Sequence, residues 1–135
     1  MVGDIRDALA AAFQDAFAIQ CSPYELANPT PPTMQVLLGE VAYDRAGSRG
    51  LDEYAFEVQL MVGYTTDEGA QRELDTYLEP GSSAKDALQA DRTLGGLVYD
   101  MRVVGCSGQQ AWLLAGSQAP ALGTTFTVQA LVRGA

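Results

Sequence analysis

The stretch DEYAFEVQLMVGY, residues 52–64, decides the fold class. Its larger apolar side chains Tyr54, Phe56, Val58, Leu60 and Val62 alternate with Glu53, Ala55, Glu57, Gln59 and Met61. A period of two places the two sets on opposite faces of a strand, one toward a core and one toward water.

Working outward, the segment TMQVLLG (residues 33–39) is short, apolar and bounded by Pro and Gly, as a partner strand would be. The intervening AYDRAGSRG is polar, glycine-containing and doubly basic, and reads as a projecting hairpin loop. Upstream, SPYELANPTPP (residues 22–32) carries Pro23, Pro29, Pro31 and Pro32, which remove backbone donors and push preceding residues toward extended shapes. Before it, Ile5, Leu9, Phe13 and Phe17 form one helical stripe over residues 4–18, widened by Ala8, Ala12 and Ala16, with Asp4 available as N-cap.

Downstream the period changes. Thr65 and Glu68 have capping-box spacing, and a helix over residues 66–79 would turn Ala70, Leu74, Tyr77 and Leu78 inward, pair Glu68 with Arg72, and end at Pro80–Gly81. A third, short helix follows from Ser83 through Ala90, with Ala84, Ala87 and Leu88 apolar and Gly95–Gly96 stopping any continuation. LVYDMRVVG (residues 97–105) and TFTVQALV (residues 125–132) are β-branched and aromatic enough to be strands, and the segment around Trp112, Leu113 and Leu114 is a weaker candidate. The order is helix, two strands, two helices, then two or three strands. That grouping predicts an α+β fold, an antiparallel (mixed) sheet of about four strands with helices packed on one face.

The 135 residues suit a single domain, residues 1–135, with flexible loops at 22–32 and 42–51. A hydrophobic fraction of 47% and a charged fraction of 19% are those of a folding globular chain. Seventeen acidic against eight basic residues give a formal charge of -9, which repels phosphate backbones and disfavours a nucleic-acid grip, although an acidic wall can line a channel through which DNA slides. Cys21 and Cys106 form no CxxC pair and read as two buried free thiols. No apolar run approaches the roughly 20 residues of a membrane span, so a soluble chain, neither secreted nor membrane-inserted, is expected.

The absence of histidine removes the commonest general base, the triads built on it and most zinc sites. GCSGQ (residues 105–109) brushes against the nucleophile elbow, but Gln109 stands where Gly is required, and a turn explains it better. Asp52, Glu53 and Glu57 are the best carboxylate cluster for glycoside hydrolysis or a hard cation, yet Glu53 and Glu57 fall on the polar face of the strand, where solvated charge is ordinary. Asp67 and Glu68 are explained by capping, Asp100 by the outer face of its strand, and TLGG (residues 93–96) by helix termination. Trp112 and the six tyrosines are scattered over expected core positions. No catalytic residue, metal site or cofactor is expected. The residues singled out for an interface are Arg45 and Arg49, two of the eight basic residues, at the tip of the loop from Asp44 to Gly50.

With these segments laid out, the chain resembles the tail terminator proteins of long-tailed bacteriophages, also called tail completion or minor tail proteins. The likeness runs from Asp52 to Val132: a strand like YAFEVQLMVG, a helix like QRELDTYLEPG, the run SSAKDALQADRTLGGLVYDMRV, and a closing strand like TTFTVQALV. An N-terminal helix followed by a proline-rich segment also fits. It does not reach the basic loop at 44–50 or GQQAWLLAGSQAPALG. The resemblance implies a ring, usually a hexamer, that sits on the last ring of the tail tube, ends tube polymerisation and presents a surface to the head connector protein. Genome DNA would pass through its lumen. It further implies assembly in the host cytoplasm, a place in the virion tail, no substrate and no cofactor. Two alternatives come from other classes: a neck or head-closure protein of the same particles, and a small-molecule binding module, which would need a dry pocket near Trp112.

Overall fold

A computed structural model describes residues 2–17, 19–24, 32–43, 51–64, 68–78, 84–90, 92–112 and 120–133. In chain order the elements are α1 (Val2–Phe17), β1 (Gln20–Ser22), β2 (Thr33–Ala42), β3 (Leu51–Tyr64), α2 (Glu68–Leu78), α3 (Ala84–Leu88), β4 (Asp100–Cys106), β5 (Gln110–Trp112) and β6 (Ala121–Arg133). The fold is α+β, with a mixed sheet ordered β1-β2-β3-β6-β4 and β5 also paired to β6. Among the described strands only β1 and β2 run parallel, with Gln20 opposite Thr33.

The sheet therefore has six strands where about four were expected. β1 has three residues, too few to show a period of two. β4 and β5 are two parts of one edge: β3 takes one flank of β6 from Ala121 to Arg133, so both lie on the other. Between them Ser107 keeps the ladder through its N–H to the Thr125 carbonyl (2.9 Å), and Gly108 takes the left-handed conformation (φ 79°). The strand expected from residue 97 begins at Asp100, because Leu94, Gly95 and Gly96 are all left-handed and reverse the chain. That turn is held by the N–H groups of Gly96 and Val98 on the Thr93 carbonyl.

The predicted alternation is what builds the core. Phe56, Val58 and Leu60 are fully buried, and their register partners on β6 are Val128, Phe126 and Thr124. Ile5, Leu9 and Phe13 of α1, Ala70, Leu74 and Tyr77 of α2, and Leu88 of α3 close over this face as one cluster. Each fully buried large apolar side chain contributes about 1.5–3 kcal/mol. The Phe13, Phe17 and Tyr77 rings join α1 to α2, with centroids of Phe13–Phe17 and Phe17–Tyr77 both 4.8 Å apart. Gly63 allows α2 to lie this close: a Cβ there would come within 2.7 Å of the Ala70 Cβ.

Several local expectations change. α1 begins at Val2, so Asp4 sits in its first turn instead of capping it. Ala10 is the small residue buried beside the stripe, while Ala16 is exposed. Cys106 is exposed and Cys21 half-buried, so the two free thiols are not both core residues. Thr65, Asp67, Pro80, Gly81 and Ser83 lie outside the described residues, as do residues 25–31 and 44–50 of the two loops. The Glu68–Arg72 pair is present at 2.9 Å on an exposed surface, where it contributes little to stability.

Candidate functional site

The face of the sheet away from the helical core is built by the other half of the alternation. Glu53, Glu57 and Gln59 of β3 stand opposite Leu131, Thr127 and Thr125 of β6. Across β2, a bulge between Leu38 and Glu40 restores the parity so that Glu40 shares this face, opposite Ala55. Glu40, Glu53 and Gln129 line one shallow hollow there. The result is a carboxylate-bearing surface with amide and hydroxyl groups between the charges, and Arg102 of β4, opposite Gln129, adds one exposed guanidinium at its β4 side. Asp52 stands opposite Val132, on the core-face parity, so the pleat separates it from Glu53 and Glu57. Among the described residues no group of three or more His, Cys, Asp or Glu could hold a metal ion.

A second hollow of about 430 Å³ lies beside Trp112, bordered by Glu57, Gln59, Ser107, Gln110 and Thr125. Several of its polar groups are engaged with one another: the Thr125 hydroxyl donates to Gln110 Oε1 (2.6 Å), and Ser107 Oγ accepts from the Thr125 N–H (3.1 Å). Gln35 Nε2 donates to Gln59 Oε1 (2.7 Å), which satisfies a buried amide on the same face. The indole covers Gly123, where a Cβ would come within 2.8 Å of the ring. Among the described residues the hollow is bordered largely by polar side chains. Ser107 bonds as a strand-edge residue, its N–H on the Thr125 carbonyl and its Oγ on the Thr125 N–H.

The two ends of the sheet differ. At the β4 end the chain's own side chains occupy the strand edge. Gln89 Oε1 accepts the Val103 N–H (2.6 Å), while Arg92 Nε donates to the Met101 carbonyl (3.2 Å). The same guanidinium forks onto Asp100 at 3.0 and 2.9 Å, which holds it in place. Filling edge donors and acceptors in this way protects against unwanted strand pairing. At the β2 end, Arg6 of α1 donates to the Val36 carbonyl (2.9 Å) and the Pro23 carbonyl (3.2 Å), with its guanidinium 4.8 Å from the Tyr24 ring centroid. β1 pairs with β2 only as far as Gln35, and among the described residues no strand covers β2 beyond it. Leu38 and Tyr43, 36% and 72% exposed, mark this open edge.

Arg45 and Arg49 lie outside the described residues. Arg6, Gln89 and Arg92 carry edge roles that sequence reasoning missed, since Gln89 acts 14 residues away and Arg6 30 residues away. Among the ionisable groups, burial pushes the Cys21 thiol up to about 11. Burial also raises the Tyr77 phenol, reinforced by Glu73 and Cys21. Among the described residues no helix is long and apolar enough to cross a membrane. No family model matches the chain, and no curated protein matches it either.

Proposed function

We propose that this chain is a structural, non-catalytic protein of a virus tail, of the tail terminator type. It forms a ring, a hexamer in this reading, that caps the tail tube, ends its polymerisation and joins the tail to the head connector protein. It assembles in the host cytoplasm. The observation that carries the reading is the carboxylate-bearing face of the sheet, where Glu40, Glu53 and Glu57 stand on the side away from the helical core. Turned toward a lumen, such a face repels the phosphate backbone, and genome DNA passes along it without sticking. The net charge of -9 and the lack of histidine support the same reading.

Arg45 and Arg49 are assigned to contacts with a neighbouring subunit or the tail tube, where a planar guanidinium fork pairs well with carboxylates. The test is electron microscopy of the purified protein, alone and mixed with tail tubes. Rings with a central hole, found at tube ends, are expected. Monomers alone at high concentration, with bare tube ends, would refute the reading. Rings that ignore tubes and bind portal-side connectors would replace it with the neck or head-closure assignment.

A further inference from the structure

We infer that subunits join head to tail, the β2 edge of one copy beside the β4 edge of the next, with Glu40 of the first paired to Arg102 of the second. This rests on the ring reading above and names its interface. The register puts both residues in one transverse row: Glu40 stands opposite Ala55, Ala55 opposite Gln129, and Gln129 opposite Arg102. All four share the face away from the helical core, so the row carries a carboxylate on one edge strand and a guanidinium on the other. Both end residues are exposed, and among the described residues neither has an ion-pair partner. Arg102 borders a hollow of about 400 Å³ with Gln129 and Leu131, which leaves room for a carboxylate arriving from the strand edge. Of the two carboxylates that line it, Asp100 is already held by Arg92, and Glu53 stands on β3 in the next row, with β6 between it and Arg102.

Three features of the sheet make a second copy the fitting occupant. The opposite charges stand at one height along the strands, so their contact needs no axial step; a head-to-tail contact without a step closes into a ring where one with a step grows a filament. Second, β2, β3, β6 and β4 alternate in direction, so a copy in the same orientation brings its β2 antiparallel to the first copy's β4. Third, the neighbouring rows of this face leave the approach clear. One ends in Ala42 on β2 and Asp100 on β4, which sets a small side chain against the Arg92–Asp100 pair. The other ends in Leu37 and Gly105, which sets an apolar side chain beside Val104, 42% exposed. Gln89 and Arg92 already occupy backbone groups of Val103 and Met101, so the contact runs through side chains and does not extend the ladder. One exposed ion pair adds little affinity, and its part is to select which edges meet and at what height. The pairing also covers a guanidinium that would otherwise hold phosphate on a face read as the wall of a DNA-conducting lumen.

Charge reversal tests this. Glu40→Arg and Arg102→Glu each create a like-charge contact and should raise the concentration needed for ring assembly about tenfold, while the double variant restores it. Both side chains are exposed, so thermal unfolding of the variants below that concentration should match the parent. Within one chain the two positions lie three strand spacings apart, about 14 Å. In a Cys21→Ser, Cys106→Ser background, Glu40→Cys with Arg102→Cys should therefore be joined between copies by a bis-maleimide too short for that span. The expected product is a ladder on denaturing gels that extends to the ring number. If parent rings form but neither single reversal weakens them and no ladder appears, this interface is wrong and the ring reading stands. Single reversals that weaken rings without rescue in the double variant also refute the pair, and a ladder that stops at dimer overturns the head-to-tail arrangement. If the parent forms no rings at all, the ring reading fails and this inference with it.

Discussion

Phe13→Ala is the sharpest test of how α1 is held to the sheet. The ring is fully buried, packs 4.8 Å from Phe17 and 6.1 Å from Tyr77 between centroids, and belongs to the cluster containing Val36, Phe56 and Leu74. Truncating a buried Phe costs about 3–5 kcal/mol from lost transfer and the cavity left behind. The two ring contacts place Phe13 at the middle of that range at least, about 4 kcal/mol. With an unfolding entropy of about 2.1 cal/mol/K per residue, 135 residues give ~0.28 kcal/mol/K. The expected fall in Tm is then about 14 °C. Calorimetry or circular dichroism at fixed protein concentration measures it, since assembly would otherwise raise the apparent stability of both proteins. Phe17→Ala, at a half-buried position on the same stripe, should cost clearly less. A fall below about 5 °C for Phe13→Ala would mean that α1 does not share the core with α2.

Gly63→Val should destabilise by about 1–3 kcal/mol through the clash with Ala70, and Ala70→Gly should recover part of the loss, read from urea midpoints. Cys106 should react with a thiol reagent in the native protein, while Cys21 should react slowly below its raised value; equal rates at pH 8 would contradict their burial. Because the folded-state value of Cys21 rises from 9.0 to about 11, its contribution to stability is fully present below pH 9 and is lost as pH climbs through 11, which Cys21→Ser should abolish in a pH series of midpoints. Arg45→Ala with Arg49→Ala should leave Tm nearly unchanged and weaken ring formation or tube capping; unaltered assembly would remove the two arginines from the interface.

The parts of this fold that sequence made legible are those where burial acts on one side of a periodic element. β3 was readable because Phe56, Val58 and Leu60 must face the core and Glu57 must not. α2 was readable for the same reason through Ala70, Leu74 and Tyr77. The start of β6 was hidden because Leu122 is the one large apolar residue among Ala121–Thr124, yet all four are buried. Gly123, a weak strand former, is required there by the approach of the Leu60 backbone and the Trp112 ring. β1 escaped notice because three residues show no period, and its pairing with β2 depends on a tertiary contact. Of the candidate surface, the carboxylates Glu53 and Glu57 were visible from alternation. Their company with Glu40 depends on a bulge, and no sequence pattern announces one.

The edge chemistry has the same logic on a larger scale. A sheet of this kind ends in unpaired N–H and C=O groups, and a soluble chain must cover them or find them a partner. Here the β4 edge is covered from within by Gln89 and by an Arg92 fixed on Asp100. Among the described residues the β2 edge is covered only as far as β1 and Arg6 reach. Removing the internal cover should therefore promote strand pairing between copies. With Gln89 and Arg92 replaced by alanine, Met101 and Val103 become available to any strand, and the β2 edge of another copy can pair along the whole of β4. A ladder of that length is free to choose other registers, and a shifted register introduces an axial step. Open polymers paired along the β4 edge would be the expected product. The polar side chains that hold Val103 and Met101 thus leave less of the β4 ladder open to a strand from another copy.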